Sequence, residues 1–436
     1  MLIQKQNTMK ASKRKIGLVL LGTYIGLTVI TTLLLWAVYS IPREQLYPQI
    51  VSSIPIIKKE GQYPQIPLFK NRVRDNGSDA CMLNVAFGAK EGDPMENLKS
   101  AMRCAESLPP KGLDSFEGLK YSLSVYPEMP NNMPYKRYWH GYQITLRPLL
   151  TIFDLRQIRI INYILLFGLA IVALFMLWRK LGIAYAMIML LALLSVAFHI
   201  VPQCMHFTSV FYIGLTSMVI SMLILEHKYE DILRPVLFFL SGALTSCFDL
   251  LTIPMVPLVL LLLTDSLIHT YVGTPLQQFN SRMKDLIGYG IIWCIGYALF
   301  WMTKFALGSI ILETNIFADA FSQASNWTDA SYVSLSQWAM RALILPIKHN
   351  YLLFVCYLAI LYVLVKLKKY HYAILNNVWL LIVAMIEPVW LLLMRHHTMN
   401  HYVLFVWRSE IILVLCFAIF VYRVISQTKE NERVIS

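Results

Sequence analysis

Ten apolar stretches of roughly 20 residues recur along this chain, and they limit its possible folds more than any other feature. About 20 apolar residues are needed for a helix to cross some 30 Å of hydrocarbon. Hydrophobic residues make up 57% of the 436 positions and charged residues only 14%, whereas a soluble domain carries about 25% charged residues. The sequence therefore predicts an all-α polytopic membrane protein. The predicted spans are 16–40, 158–177, 181–200, 207–225, 234–249, 252–271, 286–312, 350–367, 374–394 and 402–422.

The distribution of basic residues predicts the orientation of these spans. The formal net charge is +13, and most of it lies in the N-terminal tail (1–15), in short loops on the same side and in the C-terminal tail (423–436). Cytoplasmic loops carry such an excess of Lys and Arg, so the charge does not indicate a nucleic-acid partner. Both termini are predicted to be cytoplasmic in a multi-pass cell-membrane protein. The first apolar run is too long for the apolar region of a signal peptide, so it is expected to remain as a span.

A long loop follows the first span. It covers 41–157, about 117 residues on the predicted outer side, and its segments 95–108 and 138–153 have the apolar pattern of interfacial helices. The remaining spans form a bundle of about nine helices over 158–422, with a second outer segment at 313–349. Cys81 and Cys104 share the long loop, and both a disulfide and buried free thiols are compatible with their positions.

The stretch DNGSDACMLNVAFG (75–88) places acidic residues at the start of an apolar helix in this loop. Asp is a favoured N-cap residue, so Asp79 is a candidate cap for a helix that begins near Ala80. Ser78 is equally suited to that position. If Ser78 caps the helix, Asp79 is free for chemistry.

Ionisable residues at membrane depth are costly and usually face a cavity or a partner. With the predicted topology they gather at the outer level. The candidate site residues are Asp79, Arg137, His140, Arg147, Asp249, Lys304, His396, His397, His401 and Arg408.

Several polar residues near this level have a structural alternative. Asp249 is a candidate cap for the sixth span. Arg156 and Arg159 suit interfacial anchors, and Asp154 suits an ion pair with one of them. His397 and His401 are spaced i, i+4, which suits metal binding, but no third ligand follows nearby, so no metal is predicted. Hydrogen bonding to a phosphate or sugar is the favoured interpretation of these histidines.

Two motifs in the long loop carry a family resemblance. "SDACMLNVA" and "RYWHGYQITLRPLL" follow a first span, and this arrangement resembles the GT-C superfamily of membrane glycosyltransferases, which use polyprenyl-phosphate-linked sugars. "GALTSCFDLLTIP" and "EPVWLLLMRHHTMNHYVLFVWR" are similar to segments of a group of Gram-positive bacterial membrane proteins. The superfamily places a catalytic acid in the first outer loop, so the resemblance implies that Asp79 is the base. Many members carry two adjacent acids where this chain has Asp79 followed by Ala80. This chain therefore lacks the residue for any role that requires the second acid.

The resemblance implies the transfer of a sugar from a polyprenyl-phosphate donor to a glycan or glycolipid acceptor of the cell wall or surface, on the outer face. Such a transfer needs one base for the acceptor proton and cations for the leaving phosphate. Asp79 suits the first role, and the second suits Arg147, Lys304, Arg408, His397 and His401. No metal or cofactor is expected, and membrane lipid is the expected surrounding. Two alternatives remain: a polymerase or ligase of lipid-linked oligosaccharides, and a transporter or flippase, which needs a polar pathway to both faces.

Overall fold

The computed structural model describes residues 12–90, 92–107, 114–128, 132–329, 331 and 333–435. Residues 1–11 of the basic tail and residue 108 of one predicted loop helix lie outside these ranges. The α-helices are α1 Lys13–Tyr39, α2 Arg43–Glu60, α3 Asn76–Phe87, α4 Pro94–Arg103, α5 Ser115–Ser124, α6 Gln143–Leu149, α7 Leu155–Leu181, α8 Ile183–Ser195, α9 Met205–Ile224, α10 Glu230–Phe248, α11 Met255–Ile268, α12 Pro275–Leu312, α13 Ile316–Thr328, α14 Leu335–Ala339, α15 Leu345–His349, α16 Tyr351–Val365, α17 Leu367–Ala384, α18 Ile386–Leu393, α19 Arg395–His401 and α20 Ile411–Ile435. Short 3₁₀ helices cover Phe198–Gln203 and Val406–Glu410, and a π-helical turn covers Met340–Ile344.

Each of the ten predicted spans overlaps at least one apolar helix, although 374–394 is divided between α17 and α18 and α20 begins at residue 411. Within the described ranges, seven helices are long and apolar enough to cross a membrane, and an eighth results if the pair Leu335–His349 and Tyr351–Val365, bent by 96°, forms one broken span. α8 and α11 are shorter; α11 has 14 residues, about 21 Å at 1.5 Å per residue. The chain is thus a helical protein with several membrane-spanning helices, and the count of ten spans stays a prediction.

Short polar signals set the helix ends. Asp154 and Gln157 form a capping box at the start of α7, so Asp154 caps this helix instead of pairing with a neighbouring arginine. Thr274 and Gln277 form the same motif at α12, with Pro275 at the first helical position, where a missing N–H costs nothing.

Helices α10 and α12 approach each other closely, because glycines lie where they cross. A Cβ on Gly242 would be 2.1 Å from the Trp293 carbonyl oxygen, and a Cβ on Gly296 would be 2.3 Å from the Phe239 carbonyl oxygen. Small residues allow membrane helices to approach in this way, since packing drives their association.

The helices of the predicted outer loop pack on one another around an apolar core that also includes residues of α7 and α9. α2, α3, α5 and α6 contribute to this core, which includes Leu46, Ile50, Leu83, Phe87 and Leu119. α4 ends at Arg103, and a ladder of two residues per strand, β1 Glu106–Ser107 with β2 Asn132–Met133, follows. The α3 helix lies at the centre, with ten of its 12 residues buried.

All seven cysteines are free thiols. The Cys81 thiol donates a hydrogen bond to the Glu106 carboxylate at 3.4 Å, and the Cys104 thiol donates to the Ala101 carbonyl at 3.1 Å. Of the two alternatives for Cys81 and Cys104, the structure has the free thiols.

Candidate functional site

The acidic helix start in the loop is capped by Asp75, not by Asp79 or Ser78. α3 begins at Asn76, and the Asp75 carboxylate accepts a hydrogen bond from the Ser78 backbone N–H at 2.9 Å. The helix therefore starts four residues earlier than the capping alternative for Asp79 requires. Asp79 lies in the first turn and its carboxylate is available for contacts outside its own helix.

Asp79 is fully buried between three helices. Its Oδ2 accepts a hydrogen bond from Arg159 Nη2 at 3.0 Å, and its Oδ1 accepts one from the backbone N–H of Met205 at 2.8 Å. Met205 is the first residue of α9, whose first N–H groups have no partner within the helix. Asp79 thus joins α3 to α7 through an ion pair and to α9 through a helix end.

Arg159 is a buried partner of the candidate site instead of an interfacial anchor. Its side chain is 6% exposed, and its guanidinium also contacts Glu60 at 2.8 Å and the Asn76 side-chain oxygen at 3.0 Å. Arg156, three residues earlier, is exposed, as an anchor requires. The two arginines look alike in sequence, and only the packing of α2 and α3 against α7 separates their roles.

Burial raises the pKa of Asp79 to about 6, although Arg159 and the Met205 N–H act in the opposite direction. The carboxyl is therefore mostly ionised at pH 7 but takes up a proton more readily than an exposed Asp. A base is most effective when its pKa is near the working pH, so this environment suits general base catalysis.

Several buried donors without partners lie around Asp75, the N-cap of the helix that carries Asp79. Arg408 is fully buried, and its Nε and Nη2 have no hydrogen-bond partner among the described residues. His206 Nε2 lies 3.6 Å from Asp75 Oδ2, and neither ring nitrogen of His206 has a hydrogen bond within the described chain. His401 Nδ1 also has no hydrogen-bond partner among the described residues. Buried polar atoms are almost always satisfied in folded proteins, so this cluster is suited to a polar ligand.

Electrostatic and ring contacts connect this cluster. Asp75 is within electrostatic range of Asp79, Arg408 and His401. The Phe405 ring lies 5.1 Å from the ring centroids of both His206 and His401. Asp75 and His206 were not predicted as site residues. Asp75 lies in the stretch 75–88, but its contact with His206 spans more than a hundred positions and has no local signature.

An apolar groove of about 790 Å³ runs along the bundle between α6, α7, α9 and α10. Asp79 does not line it, but Met205, whose backbone N–H binds the Asp79 carboxylate, does. The lining of the groove is almost entirely apolar. Met82, Tyr142 and Met205 line the end near Asp79, and Ile220 and Leu237 line the far end. From Met205 to Ile220 the groove follows α9 for about 22 Å at 1.5 Å per residue.

Arg147 has a structural role in this fold. Its guanidinium donates hydrogen bonds to the backbone carbonyls of Val38 at 2.8 Å, Ile41 at 2.6 Å and Ala86. These carbonyls belong to the last turns of α1 and α3 and to the residue that leads into α2. Arg147 therefore ties the first span to the layer above it, and its role as a phosphate ligand stays a prediction.

Four further predicted site residues also serve packing or local structure. Lys304 is buried and donates to the Met102 carbonyl at 2.8 Å, and Arg137 pairs with Asp319 at 3.2 Å. His140 Nδ1 lies 2.9 Å from the Tyr142 hydroxyl, and its Nε2 lies 2.9 Å from the Tyr135 carbonyl oxygen. The Asp249 carboxylate accepts from the Thr252 N–H at 3.0 Å, so it closes the turn that leads to α11, close to the predicted capping role.

The histidines of α19 pack around one tryptophan. The Trp327 ring lies 5.5, 5.3 and 5.5 Å from the rings of His396, His397 and His401. Burial lowers the pKa of His397 to about 3, so this ring is neutral. His396 Nδ1 also lies 2.8 Å from the Asn326 carbonyl oxygen, and α13 is thus docked on α19. The described residues contain no group of three or more His, Cys, Asp or Glu side chains placed to hold a metal ion.

The predicted residues thus divide into two sets. Asp79, Arg408 and His401 lie around Asp75. The other seven have structural partners elsewhere: Arg137, His140, Arg147, Asp249, Lys304, and also His396 and His397, which pack against Trp327. Comparisons of the chain with protein-family models, with curated proteins and with solved structures found no match.

Proposed function

We propose that this protein is a membrane glycosyltransferase that moves a sugar from a polyprenyl-phosphate donor to a glycan or glycolipid acceptor on the outer face of the cell membrane. In this proposal both termini are cytoplasmic, Asp79 is the base and the family is GT-C-like. The observation that carries the proposal is the apolar groove lined by Met205, the residue whose backbone N–H is bound by Asp79.

The groove suits a long apolar tail that enters from the membrane. The surface of the groove is mostly apolar, and an isoprenoid chain binds through apolar contacts. A tail in the groove brings the phosphate and sugar to the end near Met205. Asp79 is hydrogen-bonded to that residue, so tail binding and chemistry are adjacent.

The buried donor cluster suits the charged head of such a donor. Arg408 has two guanidinium donors without partners, and Arg binds phosphate through paired hydrogen bonds. In the proposed step, the acceptor oxygen forms a bond to the sugar C1 while its proton passes to Asp79. The bond from C1 to the phosphate oxygen breaks, its electron pair stays on that oxygen, and the lipid phosphate leaves next to Arg408 and His206.

The polymerase or ligase alternative uses the same kind of donor and differs in its acceptor, whereas the flippase alternative needs a polar pathway through the bundle. At the other end of the bundle, Arg234 pairs with Asp265 and Asp285, and His269 lies 2.6 Å from Glu230. These groups satisfy one another at the helix ends. Their mutual pairing supports a structural role over a pathway.

The direct test is transfer of labelled sugar from a panel of undecaprenyl-phosphate sugars by the purified full-length protein. Product formation with one donor supports the proposal. If no donor gives product while the same protein moves a labelled lipid-linked sugar across proteoliposomes, the flippase alternative replaces it.

Filling the groove is expected to weaken donor binding. Ile213 lies in the groove eight residues beyond Met205, about 12 Å along α9. Ile213→Trp should raise KM for an undecaprenyl donor by about tenfold, because lost burial of two CH₂ groups at ~0.8 kcal/mol each is worth about that factor. A donor with a geranyl tail, which ends above this level, should be nearly unaffected.

The matched control is Ile164→Trp, the same change at an exposed position of α7 outside the groove. It should leave both KM values unchanged. An equal rise of KM for the long and the short donor in Ile213→Trp would show that the groove does not hold the tail.

A further inference from the structure

A second cavity, which is lined partly by polar side chains, lies inside the bundle and apart from the apolar groove. It is small and largely enclosed, with a volume of about 10 Å³. It lies between the turn before α11, the α18–α19 junction and the start of the last span. Its polar lining comes from Thr252, Glu387, His397, Thr398 and Ser409.

Glu387 is the unexplained charge in this cavity. The residue is 1% exposed; its Oε1 accepts a hydrogen bond from the Ser409 hydroxyl at 2.9 Å, and its Oε2 has no hydrogen-bond partner in the described chain. No lysine or arginine of the described ranges forms an ion pair with it. The neighbouring acid Glu410 does have one, since Arg72 lies 2.9 Å from its Oε1. Buried carboxylates are normally paired, bound to a metal ion or neutralised by a proton, so Glu387 takes up either a cation or a proton.

The hydroxyl groups around the cavity direct their protons elsewhere. Thr252 Oγ1 donates to Asp249, Thr398 Oγ1 donates to the Leu391 carbonyl at 3.2 Å, and Ser409 Oγ donates to Glu387 itself. Each oxygen keeps lone pairs for another contact. A proton on Glu387 Oε2 could donate to only one of these oxygens. A cation, in contrast, uses the carboxylate and the hydroxyl lone pairs together.

We propose that this cavity is a binding site for a single monovalent cation of the sodium class, with Glu387 as its charged ligand. Oxygen donors of this kind suit hard cations. One uncompensated carboxylate matches one positive charge, whereas a divalent ion would leave an excess charge in a region of low dielectric. The volume is about that of one water molecule, so the ion enters without its hydration shell.

The ion would join three separate segments of the chain. Thr252 belongs to the turn before α11, Thr398 to α19, and Ser409 to the 3₁₀ turn that starts the last span. α19 also carries His401, whose Nδ1 is one of the buried polar atoms without a hydrogen-bond partner near Asp75. Cation binding would therefore fix the position of this helix, whatever reaction the protein performs.

The test is the thermal unfolding midpoint of the purified full-length protein in NaCl, LiCl, KCl and choline chloride at matched ionic strength. A ligand that binds only the folded state raises stability with the logarithm of its concentration above Kd. We expect the midpoint to rise with Na⁺ and to stay constant in choline. Glu387→Gln should remove the Na⁺ dependence, and the exposed control Glu117→Gln should keep it.

Ser409→Ala keeps the charge and removes one oxygen ligand, so it provides a second test if Glu387→Gln does not fold. It should shift the Na⁺ dependence to about tenfold higher concentration, the factor that corresponds to ~1.4 kcal/mol. A wild-type midpoint that is equal in NaCl and choline chloride at all concentrations would overturn the proposal. So would an infrared band of a protonated carboxyl group in NaCl that disappears in Glu387→Gln.

Discussion

Asp79→Asn is expected to lower the rate of sugar transfer by about 10²–10⁴-fold, the usual contribution of a positioned general base. The amide has nearly the shape of the carboxylate and still accepts the Met205 N–H bond, but it cannot take up the acceptor proton. The loss should appear in kcat, with little change in KM for the donor. Single-turnover measurements with a saturating undecaprenyl donor separate the two constants.

The same substitution is expected to leave the thermal midpoint nearly unchanged. The pKa of Asp79 is raised from its ordinary value of 3.8 to about 6, so the stability that this group contributes is complete below pH 4 and is lost as the pH rises through 6. At pH 8 the ionised carboxylate is thus a net cost, which Asn removes. Arg159 keeps Glu60 and Asn76 as partners.

The pH dependence of wild-type transfer follows from the same pKa. Because the base acts in its ionised form, kcat/KM should be constant above pH 6 and fall about tenfold for each pH unit below it. Asp154→Asn is the matched control, since this residue is an acid at a helix start that only caps α7. Equal rates for wild type and Asp79→Asn would exclude Asp79 as the base and leave Asp75 with His206 as the nearest acid–base pair.

The largest loss of stability is expected from Arg147→Met. The substitution removes the donors that satisfy the carbonyls of Val38, Ile41 and Ala86. Leaving a buried acceptor unsatisfied costs about 1–3 kcal/mol, so three of them predict a loss of at least about 3 kcal/mol. The thermal midpoint in detergent should fall accordingly, and activity should fall with the folded fraction.

Arg156→Met is the control for Arg147→Met, because Arg156 is an exposed arginine of the neighbouring helix. It should have a stability close to that of wild type. If Arg147→Met were as stable as this control and had lost affinity for the donor, the phosphate-binding role predicted from sequence would be restored to Arg147.

The sequence predicted the positions of the helices better than it predicted the roles of the charged residues. Arg147, Lys304 and Arg408 were all predicted to bind phosphate, and each donates to a backbone carbonyl. Only Arg408 also has buried donors without a partner in the described chain. A cation in an apolar run has the same signature in both situations, because the cost of its burial does not depend on what satisfies it. The partner decides the role, and the partner lies on another helix.

The groove and the second cavity also have no local signature. Thr208, Tyr212 and Thr216 line the groove at helical spacing, but such a stripe is equally common in a packed core. Glu387 stands in "EPVWLLLMRHH" as a single acid among apolar residues. Only the structure distinguishes Glu387, which has no lysine or arginine partner among the described residues, from Glu410, which pairs with Arg72.

The sequence by itself determined that the chain is helical and embedded in a membrane, and where its apolar helices lie. This is a local property, because each backbone group in hydrocarbon must find its partner within its own helix, which requires an uninterrupted apolar run. The tertiary structure alone decided which ionisable residues meet. Asp79 and Arg159 are 80 positions apart, and Glu410 and Arg72 are 338 apart. Such contacts depend on how helices pack against one another, and residue types at a given spacing do not encode that packing.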